Sequence, residues 1–180
     1  MSSPTNWMKK EYDDLVKKGF DWKPPVIGGP STGRAIIDDK ERIMLCANNY
    51  LSMSNHPKVK QAAIDAVKSH GAGSGSVRPI AGNMDIHNEL EDTIARFKNR
   101  EAALYYQTGF AVNSGLIPQL AGKKDSIISD QLNHGSIIDG VRLSGVKKEN
   151  RTIYAHNDMG ELEDRLKEAT NKSEKTLVIS

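Results

Sequence analysis

The spacing of apolar residues changes near residue 100, and the change separates an irregular first half from a regular second half. In the first half, Met8, Tyr12, Leu15 and Val16 recur at helical spacing with lysines and acids between them. This predicts an amphipathic helix over residues 6–19. The run Lys23-Pro24-Pro25-Val26-Ile27-Gly28-Gly29-Pro30 then breaks regular structure. Two short strands are predicted at 34–38 and 41–47, joined by the turn Asp38-Asp39-Lys40-Glu41. Pro57 suits a helix start, Val59, Ala62, Ala63, Ala66 and Val67 continue it on one face, and Gly71 stops it. A glycine-rich loop follows, and then a helix carrying Ile86, Leu90, Ile94 and Phe97 on one side.

Beyond residue 100 the pattern alternates. Strands are predicted at 102–106, 126–129, 152–155 and 176–179, with helices at 110–120, 136–143 and 159–169. Such alternation predicts an α/β fold, a largely parallel sheet with helices on both faces. The sequence shows no internal repeat. Ligands of open α/β sheets gather at the carboxyl ends of the strands, and Ser180 falls at such an end. The chain is therefore read as an N-terminal helix and arm over residues 1–45, then the truncated N-terminal part of a larger domain over 46–180.

Composition narrows the function. The formal charge is +2, from 25 basic and 23 acidic residues. The two signs are interspersed, so the basic stripe that nucleic acid requires is missing. No basic leader precedes an apolar stretch, and no apolar run nears the ~20 residues of a membrane span. A cytoplasmic protein without nucleic-acid or membrane partners is expected. Cys46 is the lone cysteine and sits in Ile43-Met44-Leu45-Cys46-Ala47, which predicts a small core thiol. His87, His134 and His156 lack metal-ligand spacing, so no metal site is expected.

Candidate chemistry lies at predicted strand ends. Thr108 and Gly109 sit at a strand-to-helix turn, where the free amides of Gly109 and Phe110 could cradle a phosphate. The same turn is also common without a ligand. His134, just before a helix, could stack on an aromatic cofactor or act as acid or base. The plain alternative is a polar loop with Asn133 or Ser136 capping the helix and His134 satisfied by neighbours. Asn48 offers an amide to a carboxylate or is a turn-former. Arg78, beside a glycine run that matches neither a dinucleotide nor a Walker loop, could pair with an anion or face solvent.

Taken in order, these segments resemble one family. Cys46 to Leu51, Gly73 to Arg78 with Ile80-Ala81-Gly82, His87 to Glu91, Thr108-Gly109-Phe110 and Asp130 to Gly140 are similar to the α-oxoamine synthases. The resemblance implies the N-terminal portion of a fold-type I (aspartate aminotransferase-like) enzyme that uses pyridoxal 5'-phosphate and acts as a homodimer. It implies condensation of an amino acid with an acyl-CoA. Val77 to Gly82 and Ser129 to Gly140 look most like glycine C-acetyltransferase (2-amino-3-ketobutyrate CoA ligase), which implies glycine and acetyl-CoA as substrates. The alternatives are 8-amino-7-oxononanoate synthase, another α-oxoamine synthase, or a non-catalytic α/β binding module.

Carried onto this sequence, the resemblance makes His134 the residue stacking on the pyridine ring. Gly109 and Phe110, with Thr108, become the phosphate cradle. Asn48 falls near the substrate carboxylate, Ser129 near the acyl group, and Arg78 becomes a further substrate contact. The family's Schiff-base lysine, the aspartate paired with the pyridine nitrogen and the substrate-binding arginine fall beyond residue 180, and Lys172 does not match that lysine. This 180-residue chain alone is expected to bind the cofactor weakly or not at all, and to be inactive.

Overall fold

A computed structural model describes residues 4–180. They form two compact units, one ending at Asn83 and the other spanning Met84–Ser180.

The first unit carries α1 (Asn6–Lys17), the antiparallel hairpin of β1 (Arg34–Ile37) and β2 (Lys40–Ile43), and α2 (Pro57–His70). Both hairpin turn residues, Asp38 and Asp39, have positive φ. That geometry matches the twist of a two-residue hairpin, and Asp is among the side chains that tolerate it. Pro57 starts α2 as predicted, and the His56 imidazole caps it by accepting from the Lys58 amide. Two expectations fail here. β2 ends at Ile43 rather than continuing to 47, and Cys46 is exposed rather than in a core. A two-stranded ribbon with every β2 residue exposed offers no interior for that thiol.

The second unit is built from α3 (Asp85–Phe97), α4 (Gly109–Leu120), β3 (Ser126–Asp130), α5 (Gly135–Leu143), β4 (Arg151–Tyr154), α6 (Met159–Thr170) and β5 (Thr176–Ile179). Its three strands are parallel in the order β4-β3-β5. The β3-to-β4 crossover runs one way across the sheet, and the β4-to-β5 crossover returns past β3. Crossovers of one hand running in opposite directions put their helices on opposite faces, and the packing agrees. Ile127 sits with Ile117, Ala121 and Val146, flanked by Ile137 and Val141 of α5. Its neighbour Ile128 faces the other side, with Tyr154, Ala169, Leu162 and Leu166. Strand alternation alone accounts for this split.

The predicted strand at 102–106 does not form. A strand needs a ladder partner, and here the Tyr105 amide donates instead to the Glu91 carboxylate at 2.8 Å. The Tyr105 ring stacks against His87, with 6.1 Å between centroids. Leu104 remains 66% exposed.

Candidate functional site

α4 and α5 lie side by side and run in parallel, because the Asn113 side chain donates to Ser136 Oγ (2.9 Å) and Gly140 packs on Asn113 and Ile117. An added Cβ at Gly140 would run into the Asn113 carbonyl oxygen, so glycine permits the close approach. α5 starts at the carboxyl end of β3, and its partner α4 starts at the same rim. The first turns of both helices therefore open onto one edge of the sheet.

At α4 the Thr108 hydroxyl accepts from the Ala111 amide (3.0 Å), and the Thr108 carbonyl accepts from Val112. A helix leaves its first four N–H groups without intrahelical partners. With the later two occupied, the amides of Gly109 and Phe110 point outward. Space around Gly109 is open, with nothing within 4 Å of where a Cβ would lie. Two free amides at a positive helix end suit an anion such as a phosphate.

At α5, His134 is itself the cap, where the plain alternative offered Asn133 or Ser136. Its Nδ1 accepts from the Ser136 amide (3.1 Å) and lies 2.7 Å from Ser136 Oγ. An Nδ1 that accepts leaves the ring hydrogen on Nε2. The chain Asn113 Nδ2 to Ser136 Oγ to His134 Nδ1 thus fixes the imidazole and ties it to α4 one turn below Gly109. The ring itself is exposed at the rim.

Asn133 works elsewhere. Its Nδ2 donates to Ser129 Oγ (2.9 Å) and to the Ile179 carbonyl (2.7 Å), stapling the loop to β3 and β5. Ser129 is buried, so it holds this loop rather than presenting its hydroxyl at the rim. Asn48 and Arg78 belong to the first unit. Asn48 is exposed, and Arg78 donates from Nε to the Asn83 side chain at 2.9 Å.

Sequence reasoning passed over a second cluster at the same rim. The Asp130 carboxylate, buried at the end of β3, accepts from the Leu132 amide (2.7 Å) and from His156 Nδ1 (3.1 and 3.0 Å). The Leu132 N–H, then His156, hold its carboxyl below the usual range against the opposing effect of burial. Burial, and secondarily the Asp130 charge, push Tyr154 up. The available signal was positional: Asp130 closes one strand and His156 follows the next by two residues.

Asp125 and Glu161 are likewise lowered, chiefly by the Gly122 and Ala155 amides. A carboxyl with a depressed folded pKa stabilises the fold above its unfolded value of about 4, and that contribution disappears as pH falls through the folded value. Chemical denaturation at neutral pH and near pH 3 should show stability falling on the acid side. Asp130→Asn should flatten that acid limb.

No group of three His, Cys, Asp or Glu placed to hold a metal occurs among the described residues. Among them, no helix is long and apolar enough to cross a membrane.

The aminotransferase class I and II family model matches residues 40–180. The 8-amino-7-oxononanoate synthase of Treponema denticola is 46% identical over 97% of this chain and 43% of its own length. A Sphingomonas wittichii serine palmitoyltransferase structure superposes with a TM-score of 0.83 at 30% identity, over 98% of this chain and 44% of that one. An 8-amino-7-oxononanoate synthase structure from Francisella tularensis gives a TM-score of 0.57 at 26% identity, over 74% and 43%. Family match and fold thus define a pyridoxal-phosphate protein of fold type I. The chain belongs to the aminotransferase class I and II family, in its α-oxoamine synthase branch. It spans less than half the length of the relatives it matches.

Proposed function

We propose that this chain supplies the phosphate cradle and ring-facing histidine of an acyltransferase that makes 8-amino-7-oxononanoate. The observation that carries the reading is the pairing of open Gly109 and Phe110 amides with a tethered, exposed His134 on one sheet rim. Bound there, pyridoxal phosphate would supply an electron sink for a carbanion at the amino acid's α-carbon. Gly109 and Phe110 would anchor the phosphate, Thr108 would hold that turn in shape, and His134 would set the tilt of the ring. By the family resemblance, Asn48 would lie near the substrate carboxylate and Arg78 would be a further substrate contact. Residues 46–180 would open the large cofactor domain, with 1–45 as an arm.

The product's name fixes the substrate class. Its amino-bearing carbon and terminal methyl are those of alanine after loss of carbon dioxide. The remaining seven carbons are a dicarboxylic acyl group, delivered as a thioester. Relatives at 46–47% identity bear this name, which favours it over the glycine and acetyl-CoA reading drawn from the motifs at 77–82 and 129–140. A homodimer is part of the proposal. It is supported by the exposed apolar stripe of α1, including Trp7, Tyr12 and Leu15, which a partner would cover.

The test is a thiol-release assay on a full-length protein containing this sequence. Alanine with the seven-carbon acyl-CoA should release free CoA at least roughly tenfold faster than glycine with acetyl-CoA, since removing wrong-sized apolar fit costs on the order of 1–3 kcal/mol. Equal rates, or preference for the glycine pair, would reject the assignment.

A further inference from the structure

The loop that delivers His134 to the rim spans only Gln131, Leu132 and Asn133, and each has a specific anchor. The Gln131 amide donates to the Tyr154 carbonyl at 3.0 Å. Asn133 is stapled to Ser129 and Ile179. The Leu132 amide donates to Asp130 Oδ1, and Asp130 is in turn gripped through both oxygens by His156 from the segment after β4. Asn157, held at a φ of 61°, donates from Nδ2 to His156 Nε2 at 3.1 Å. With Nε2 accepting, the hydrogen of His156 lies on Nδ1 and points at the carboxylate. The orientation is the one in which a buried carboxylate fixes an imidazole, and the imidazole fixes the carboxylate.

We propose that His156 is a positioning residue. Together with Asn157 it locks the Asp130 carboxylate in the rotamer that receives the Leu132 amide, and so fixes where His134 enters the site. Without His156, Asp130 keeps the Leu132 amide and a weaker contact with the Tyr154 hydroxyl, but loses the contact that spans both its oxygens. The carboxylate can then turn toward solvent and release Leu132. His134, two residues on, inherits the freedom. The proposal rests on His134 being the ring-facing residue, but its test needs no cofactor.

The experiment compares the 180-residue chain with its His156→Ala, His156→Asn and Asn157→Ala variants by nuclear magnetic resonance. Two readouts are followed: hydrogen exchange at the Leu132 amide, and the ring-nitrogen signals that report which His134 nitrogen carries hydrogen. In His156→Ala, Leu132 should exchange at least about tenfold faster, as expected for local opening. The His134 ring should move from a single Nε2-protonated form to a mixture, while Ile127 and Ile128 stay protected. His156→Asn places an amide donor where Nδ1 lay and should restore most of both signals. Should His156→Ala not fold, Asn157→Ala decides with the same changes at smaller amplitude. Parental Leu132 exchange and an unchanged His134 ring in the folded variants would overturn the proposal. So would a loss of protection spread evenly over β3 and β4. If these changes appear yet a full-length protein containing this sequence ignores pyridoxal phosphate, the cofactor reading fails and the positioning role stands.

Discussion

Replacing Ile127 by alanine is expected to cost about 2–5 kcal/mol, the range for deleting a large buried aliphatic side chain. Ile127 is fully buried in the central strand, between Ile117 of α4, Ala121 just after it and Val146, with Ile137 and Val141 of α5 against it. Both helices whose first turns form the rim are held to the sheet through this cluster. The loss should therefore register twice in a urea titration followed by residue-resolved spectra: as a lower midpoint overall, and as early broadening at Gly109, Phe110 and His134. Ile128→Ala, on the opposite face with Tyr154 and Ala169, should cost a similar amount but leave those three signals sharp until global unfolding. Were Ile127→Ala to lie within about 0.5 kcal/mol of the parent, the core assignment would be wrong.

Incubating the chain with pyridoxal phosphate and then reducing with borohydride should give no stoichiometric pyridoxyl-lysine between residues 123 and 180. The reason is topological. Lys123 and Lys124 precede β3, Lys147 and Lys148 precede β4, and Lys172 and Lys175 precede or lie just at the start of β5. Lys167 is in the last turn of α6, which returns toward the amino end of β5. Every lysine between residues 123 and 180 thus lies toward the amino edge of the sheet, opposite the rim that bears His134. A lysine able to reach a ring held at His134 has to come from outside this stretch. Peptide mapping should find only scattered, substoichiometric label, and dialysis before reduction should remove the yellow absorbance. One fully labelled lysine between residues 123 and 180 would contradict the placement of the site.

The second half of the fold was legible because its signals are local. The spacings of Ile117, Ile127, Ile137 and Leu162 each report one element, and the central strand β3, buried on both faces, carries the adjacent apolar pair Ile127 and Ile128. Residues 102–106 read as a strand because Ala102 to Tyr106 are apolar, but strand formation depends on a neighbour, and Glu91 had already taken the Tyr105 amide. Cys46 misled for a related reason: an apolar run signals burial only where something covers it. In the site, Thr108 to Phe110 were readable because a cap and a glycine at a helix start act through their own backbone. The capping by His134 was not readable, since Asn and Ser are the commoner caps, and Asn133 was drawn off by Ile179, 46 residues away in sequence. The Asp130–His156 contact joins two strand ends 26 residues apart, and no periodicity encodes it.

The central claim is that the first turn of α4 and the His134 imidazole bind one phosphate-bearing ring together. Pyridoxine 5'-phosphate carries the phosphate and the ring but no aldehyde, so it cannot form imines with surface lysines. Titrated at millimolar concentration into isotopically labelled chain, it should shift the Gly109 and Phe110 amides and the His134 ring along a single binding curve. Inorganic phosphate should move the two amides and leave the ring in place. Shifts confined to the lysines at the amino edge, or a His134 that ignores the ligand while Gly109 and Phe110 respond, would contradict the account.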